Sequence, residues 1–313
     1  MNPANTAEKK ASLAMIRMAN ILFTTDFSPA SLAALPHATA VARRYGSKIY
    51  LAHVVMPQPY PLVSPEAEAY VDQIAKNSRE RLAKLSSSGA LKEIPHEALL
   101  AHGEVTKVLH KMIKEHDIDL VVAGTHGRHG FRRFFMGSVA EEVYRTSPCP
   151  VLTVGPHVSK DVPHQIELHE ILYATDLSEE SFSAAPYAFS FALEYAARLT
   201  VLHVPTTANL ASLKLVPKAF SDEIQALIPA DAKPWCEPDY LVESGDPAET
   251  ILKIAKERRA GLIILGIKEA GALASHRIGN VAYRVVTEAE CPVLTIRAHS
   301  GNKTHGRPGK NQA

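Results

Sequence analysis

A glycine-spaced loop is the part of this sequence best suited to chemistry. Gly124-Thr125-His126-Gly127 is followed, nine residues on, by Gly137-Ser138, giving the pattern G-x2-G-x9-G-S. Glycine lets a backbone approach an anion closely and take conformations closed to other residues. A helix starting at Ser138 leaves the N–H groups of Ser138, Val139 and Ala140 without helical partners. They point, with the positive end of the helix dipole, toward the loop. The segment between carries Arg128, His129, Arg132 and Arg133, so it is locally basic in a chain whose formal charge is only +1. A polyphosphate suits such a place. It is not a P-loop, because G-x4-G-K-[ST] occurs nowhere and no lysine is set against β/γ phosphates. His126 and His129 could polarise a phosphate or simply be solvated. No Asp or Glu adjoins them in sequence to complete a metal site.

The elements that must position this loop read as alternating strands and helices, the signature of right-handed βαβ units and a parallel sheet. Ile21–Thr25 reads as a strand ending at Asp26. Ser28-Pro29 supplies an N-cap and a proline at the first helical position, and Gly46 closes that helix. Lys48–Val55 is a second strand ending near Val54, and a Pro-rich loop leads to a helix near 66–85. Glu97–Ala101 is a third strand, 104–115 a helix, and 118–123 a nearly all-apolar fourth strand, as expected where both sheet faces are covered. A helix from Ser138 and a last strand, Val151–Val154, complete the unit. In an open α/β sheet, ligands bind past the carboxyl ends of the strands at the switch point, where Asp26, Val54 and Gly124 converge.

The unit then recurs. NILFTTDFS (20–28) is answered by EILYATDLS (170–178), LAHV (51–54) by VLHV (201–204), LVVAG (120–124) by LIILG (262–266) and CPVLTV (149–154) by CPVLTI (291–296). Asp246-Pro247-x-Glu249 marks the start of a helix in the second copy. The fold class expected is α/β: two tandem Rossmann-like doubly wound domains, each with a five-stranded parallel sheet. The expected boundaries are a flexible leader at 1–17, a nucleotide-binding domain at 18–156, a linker at 157–168, a second domain with a degenerate site at 169–298, and a basic, disordered tail at 299–313. The second copy keeps Asp176, Val204, Gly266 and Gly279, but Glu269 answers Gly127 and Asn280 answers Ser138. Glu269 places a carboxylate where backbone should meet phosphate, over the helix N-terminus. Arg128, Arg132 and Arg133 are answered by Ala270, Ala274 and Ser275.

Charge and composition exclude other classes. Thirty-four Lys+Arg against thirty-three Asp+Glu give no global field for nucleic acid, and three cysteines without a C-x-x-C pair exclude a disulfide scaffold and a cysteine zinc site. They fit a reducing cytoplasm. No apolar run approaches the length of a membrane span.

The TTDFS strand end, the LAHV strand and above all G-x2-G-x9-G-S followed by a CPVL strand resemble the universal stress protein family in its tandem form, over about 20–297 of the chain. The resemblance implies ATP as ligand, with Mg2+ or Mn2+ possible beside it, weak or no hydrolysis, and commonly dimers. It implies that Asp26 and Val54 contact the adenosine end and Gly124 lies under the ribose. Gly127, Gly137, Ser138 and the backbone of Val139 would hold the phosphates. Thr24, Thr25, Ala123, Thr125, His126, Arg128 and Ala140 complete the candidate nucleotide-binding set; no catalytic or metal-binding residue is assigned.

Other roles compete with these. Asp26 and Asp176 suit helix capping as well as ligand contact, and Ser138-x-x-Glu141 satisfies a capping box. His53 and His203 read as satisfied strand-end histidines, and Cys149 and Cys291 as buried small hydrophobes. The function expected is an ATP-binding, cytoplasmic, stress-response regulator with an unidentified protein partner and no role for nucleic acid or membrane. Two alternatives stand beside it, a slow ATPase or phosphoryl-transfer enzyme and a nucleotide-free interaction module. The CPVLT strands read as sheet edges, able to pair with each other within one chain as a pseudo-dimer or with a second chain as a homodimer.

Overall fold

The computed structural model describes residues 16–56, 65–125, 138–159, 167–205, 237–267 and 281–297. The first half runs β1 (Asn20–Thr24), α1 (Pro29–Leu32), α2 (Leu35–Tyr45), β2 (Lys48–Val55), α3 (Pro65–Ser86), a 3-10 turn (Gly89–Leu91), β3 (His96–His102), α4 (Val105–Glu115), β4 (Leu120–Gly124), α5 (Ser138–Thr146) and β5 (Val151–Val154). The second half runs β6 (Glu170–Thr175), α6 (Glu179–Phe182), α7 (Ala185–Tyr195), β7 (Arg198–His203), β8 (Asp239–Val242), α8 (Pro247–Arg258), β9 (Leu262–Ile267), α9 (Val281–Glu288) and β10 (Val293–Arg297).

Each half orders its five strands 3-2-1-4-5, all parallel, and the two sheets fuse into one of ten strands, β3-β2-β1-β4-β5-β10-β9-β6-β7-β8. The fusion is the antiparallel pair β5–β10, in register Val151↔Thr295, Leu152↔Leu294 and Thr153↔Val293. Leu152 thus faces its own counterpart in the repeat, and a pseudo-twofold axis passes between them. The β5 and β10 edges that the halves would expose are consumed by one another, and β3 and β8 remain the outer strands. Because the pair is antiparallel, the carboxyl ends of β1 and β4 lie at the opposite end of the sheet from those of β6 and β9. The two switch points therefore open in opposite directions.

Burial follows the doubly wound plan. Leu120, Val121 and Val122 of β4 and Ile263 and Ile264 of β9 are buried on both sides. One face of the sheet packs α2, α3 and α7, with Phe23, Leu51, Leu152, Tyr173, Phe191 and Leu294 in a single apolar layer. The other packs α4, α5, α8 and α9, with Leu22, Leu109, Val143, Ile251 and Val285. Both layers cross the seam. At the axis on the first face, α2 and α7 meet through Arg44 and Glu194 (2.9 Å), which occupy equivalent positions in the two copies, and through Tyr45, whose ring lies 5.8 Å from Phe191. On the second face Arg297 of β10 donates to the carbonyl of Arg145, in the last turn of α5.

Three sequence expectations change. The single helix expected from Pro29 to Gly46 is two helices, α1 and α2, and the second copy breaks likewise into α6 and α7. Pro36 and Pro186 are the cause: each lacks an N–H and its ring collides with the carbonyl four residues earlier, so the helix ends and restarts with proline in its first turn. Residues 16 and 17, assigned to the leader, join the folded body. Ile16 N donates to Ser190 Oγ of α7 at 3.2 Å, and neighbouring Met18 is only 2% exposed. Val158 and Leu168, assigned to the linker, are buried in the first layer. Residues 1–15 and 298–313 lie outside the described residues.

Candidate functional site

The first-half switch point is assembled where β1, flanked by β2 and β4, runs out into α1. Thr24 closes β1 and Thr25, buried, follows it; Thr25 N donates to the Ala52 carbonyl at 3.0 Å, prolonging the ladder to β2. The chain then reverses. Phe27 takes φ +61, a left-handed conformation that costs a non-glycine residue energy and must be held by its surroundings. Three local bonds hold it. Thr25 Oγ1 accepts from Phe27 N (2.8 Å), Asp26 Oδ1 accepts from Ser28 N (2.9 Å), and Ser28 Oγ caps α1 by accepting from Ser31 N (3.1 Å). Ser31 Oγ meets Thr25 Oγ1 at 2.9 Å and donates back to the Ser28 carbonyl. The Asp26 carboxylate is thereby fixed at the mouth, half-buried.

The second half repeats this turn bond for bond. Leu177 has φ +64, Leu177 N donates to Thr175 Oγ1 (3.0 Å), Ser178 N to Asp176 Oδ1 (3.0 Å) and Ser181 N to Ser178 Oγ (3.2 Å). The halves diverge in detail. Asp176 is exposed, and Ser178 Oγ also donates to its Oδ1 at 2.5 Å. Tyr173 replaces Phe23 and donates through its hydroxyl to the Ser181 carbonyl at 2.8 Å. His53 and His203 do the same work in both copies, with Nδ1 donating to the carbonyl of Thr25 (2.8 Å) and Thr175 (2.9 Å). They are strand-end histidines tied to the backbone.

Gly124 and Gly266 prove to have a packing cause. A Cβ on Gly124 would lie 2.3 Å from the Ala30 carbonyl oxygen, and one on Gly266 would lie 2.4 Å from that of Glu180. Only glycine lets β4 and β9 pass beneath the short helices α1 and α6. This requirement is identical in the two halves and independent of any ligand, which accounts for the retention of Gly266 in a copy that has lost Gly127 and Ser138.

Of the other expected site residues, Val54 is half-buried near the end of β2, and Ala123 is buried on β4. Thr125 is 1% exposed, with its N–H donating to the Val154 carbonyl at 3.2 Å. Ser138, Val139 and Ala140 open α5, as the loop motif requires. Glu141 pairs forward with Arg145 at 3.3 Å, engaging the carboxylate along the helix. His126, Gly127, Arg128 and Gly137 lie outside the described residues, as do Glu269, Gly279 and Asn280. The structure thus brings Thr24, Thr25, Asp26, Val54, Ala123, Gly124 and Thr125 to one end of the sheet.

Sequence reasoning missed three contributors. Ser31 and Ser181 are signalled by the repeated spacing T-D-x-S-x-x-S, at 25–31 and 175–181. Arg81, from α3, lies over the Phe27 ring with its guanidinium carbon 4.4 Å from the centroid and donates to the Phe27 carbonyl at 3.2 Å. No local sequence signal announces it. Away from the mouth, burial pushes the thiols of Cys149 and Cys291 up to about 11 and about 12, so both are inert at neutral pH.

Comparison with known proteins gives the same division into two units. The universal stress protein family model fits residues 18–155 and again residues 167–297. The chain belongs to the universal stress protein family. Universal stress protein YxiE of Bacillus subtilis is 30% identical over 146 residues, which is 41% of this chain and 99% of that relative. A universal stress protein of Methanocaldococcus jannaschii is 29% identical over 136 residues, covering 43% of this chain and 80% of the relative. Each of these relatives corresponds to one half of the tandem chain. A universal stress protein from Archaeoglobus fulgidus shares the whole fold, with TM-score 0.70 at 21% identity over 90% of this chain and 99% of that one. Among the described residues no helix is long and apolar enough to cross a membrane.

Proposed function

We propose that this tandem universal stress protein is an ATP-binding regulator whose first domain, 18–156, holds the nucleotide and whose second, 169–298, does not. The observation that carries the reading is an asymmetry: both halves build the same Asp-bearing turn and the same glycine contact, while only the first retains G-x2-G-x9-G-S entire. Asp26 and Val54, at the ends of neighbouring strands, suit a nucleoside, and the α5 N-terminus supplies N–H groups for phosphates. In the second half Glu269 supplies the negative charge itself. Among the described residues no three His, Cys, Asp or Glu converge on a metal site; in this reading any Mg2+ or Mn2+ arrives on the triphosphate. The setting is the cytoplasm, the occasion is stress, and the output is conformational, with ATP ordering the loops about the site for a protein partner.

The test is thermal unfolding of the full chain with and without millimolar ATP. Ligand at about a hundred times its dissociation constant adds about 2.7 kcal/mol of stability, a shift of several degrees. Asp26→Asn should reduce that shift and Asp176→Asn leave it intact. No shift in the wild-type protein moves the reading to a nucleotide-free interaction module.

A further inference from the structure

We infer that Arg81 of α3, acting through the ring of Phe27, is a positioning residue for the nucleoside end of the first-half site. The inference rests on the proposal that this half binds ATP. The Phe27 ring has two contacts. The Arg81 guanidinium lies 4.4 Å above the Phe27 ring, and that ring sits 4.5 Å from the His53 imidazole, tilted 45° to it. Arg81 Nη2 also donates to the Phe27 carbonyl at 3.2 Å, and His53 Nδ1 donates to the Thr25 carbonyl at 2.8 Å. The two donors grip carbonyls on either side of Asp26, and Phe27 itself is 7% exposed.

Phe27 is the residue in the left-handed conformation. Its φ decides where the preceding carboxylate points and whether Ser28 N reaches Asp26 Oδ1. A guanidinium that is planar, charged and hydrogen-bonded holds both the ring and the carbonyl of that residue at once. Arg81 is 54 positions away in sequence, on a helix that packs over β2 and β3 rather than on the turn itself. It therefore couples α3 to the mouth of the site. The second half makes the same turn with Leu177, which offers no aromatic face. The Arg81–Phe27 contact and the complete glycine loop thus occur together, in the first half.

The experiment compares full-length wild type with Arg81→Ala, Arg81→Lys and Phe27→Leu, using adenosine, ATP and inorganic tripolyphosphate as separate probes in equilibrium binding. Arg81 is an exposed helical position that alanine suits, and Leu177 shows that leucine accepts the turn, so the variants fold. Adenosine and ATP affinity should fall about tenfold in Arg81→Ala and Phe27→Leu, the scale of one lost charged contact, with Arg81→Lys between wild type and Ala. Tripolyphosphate affinity should be unchanged, because α5 and the loop are untouched. Wild type that binds adenosine and ATP, with all three variants binding equally well, overturns the role of Arg81 and leaves the ATP reading standing. Equal losses for adenosine and tripolyphosphate also overturn it, because they mean general loosening. Wild type that binds none of the probes overturns both.

Discussion

Replacing Gly124 by alanine separates two reasons for a glycine at the mouth of the site. The new Cβ would lie 2.3 Å from the Ala30 carbonyl oxygen and 2.9 Å from Ser31 Cα. Ordinary contact lies at about 3.5 Å, so α1 must retreat by about 1 Å. The obstacle is backbone, pinned by the Ser28 cap and by the Thr25–Ser31 contact, and cannot swing aside as a side chain would. Overpacking of this kind costs about 2–3 kcal/mol. The φ of Gly124 is one that alanine adopts freely, so loss of unfolded-chain entropy would by itself stabilise the variant by about 0.4–1 kcal/mol. The sign of the change therefore decides. Urea unfolding of nucleotide-free protein should show Gly124→Ala destabilised by about 2 kcal/mol after both effects. Gly266→Ala, 2.4 Å from the Glu180 carbonyl, should match it. An unchanged or stabilised Gly124→Ala protein would refute the packing argument and return that glycine to the ligand.

Two further outcomes follow from burial and charge. His37 on α2 is 6% exposed with Nε2 unpartnered, and burial lowers its pKa from 6.5 to about 4. The native state thus holds the neutral ring, whereas the unfolded chain takes up a proton below 6.5; stability is complete above pH 6.5 and falls as pH drops toward 4, by about 3 kcal/mol. His37→Leu should remove that component, so the stability difference between variant and wild type should change by this amount between pH 7 and 4, and a constant difference would contradict the assignment. At the seam, Arg44→Glu and Glu194→Arg each place like charges at the axis, and the double reversal restores the pair. With the arginine 43% exposed, the coupling measured by a double-mutant cycle should be about 0.5–1 kcal/mol, and a coupling of zero would remove the pair from the seam's stability.

The periodicity of apolar runs and the internal repeat made the ten strands and their parallel order legible, because a doubly wound sheet writes its core into short apolar strands. The CPVLT runs were legible as edges. Their choice of each other was not: Arg44 and Glu194 are complementary at one pseudo-symmetric position, and that appears only once α2 and α7 are packed together. The helix breaks were signalled by Pro36 and Pro186 and outweighed by the longer helical pattern around them. At the site, Thr25, Asp26 and Ser28 were legible from their repeat. Phe27 was not, since a left-handed turn without glycine leaves no compositional trace, and it is maintained by Arg81 from another helix. Gly124 was legible as necessary, but for a ligand; its contact with α1 exists only in three dimensions.

Equilibrium dialysis of full-length protein against labelled ATP tests the central claim most directly, because it counts sites. One ATP per chain should bind, abolished or severely weakened by Gly127→Glu and retained by Asp176→Asn. Two equivalent sites per chain, or a single site lost with Asp176→Asn and untouched by Gly127→Glu, would contradict the account.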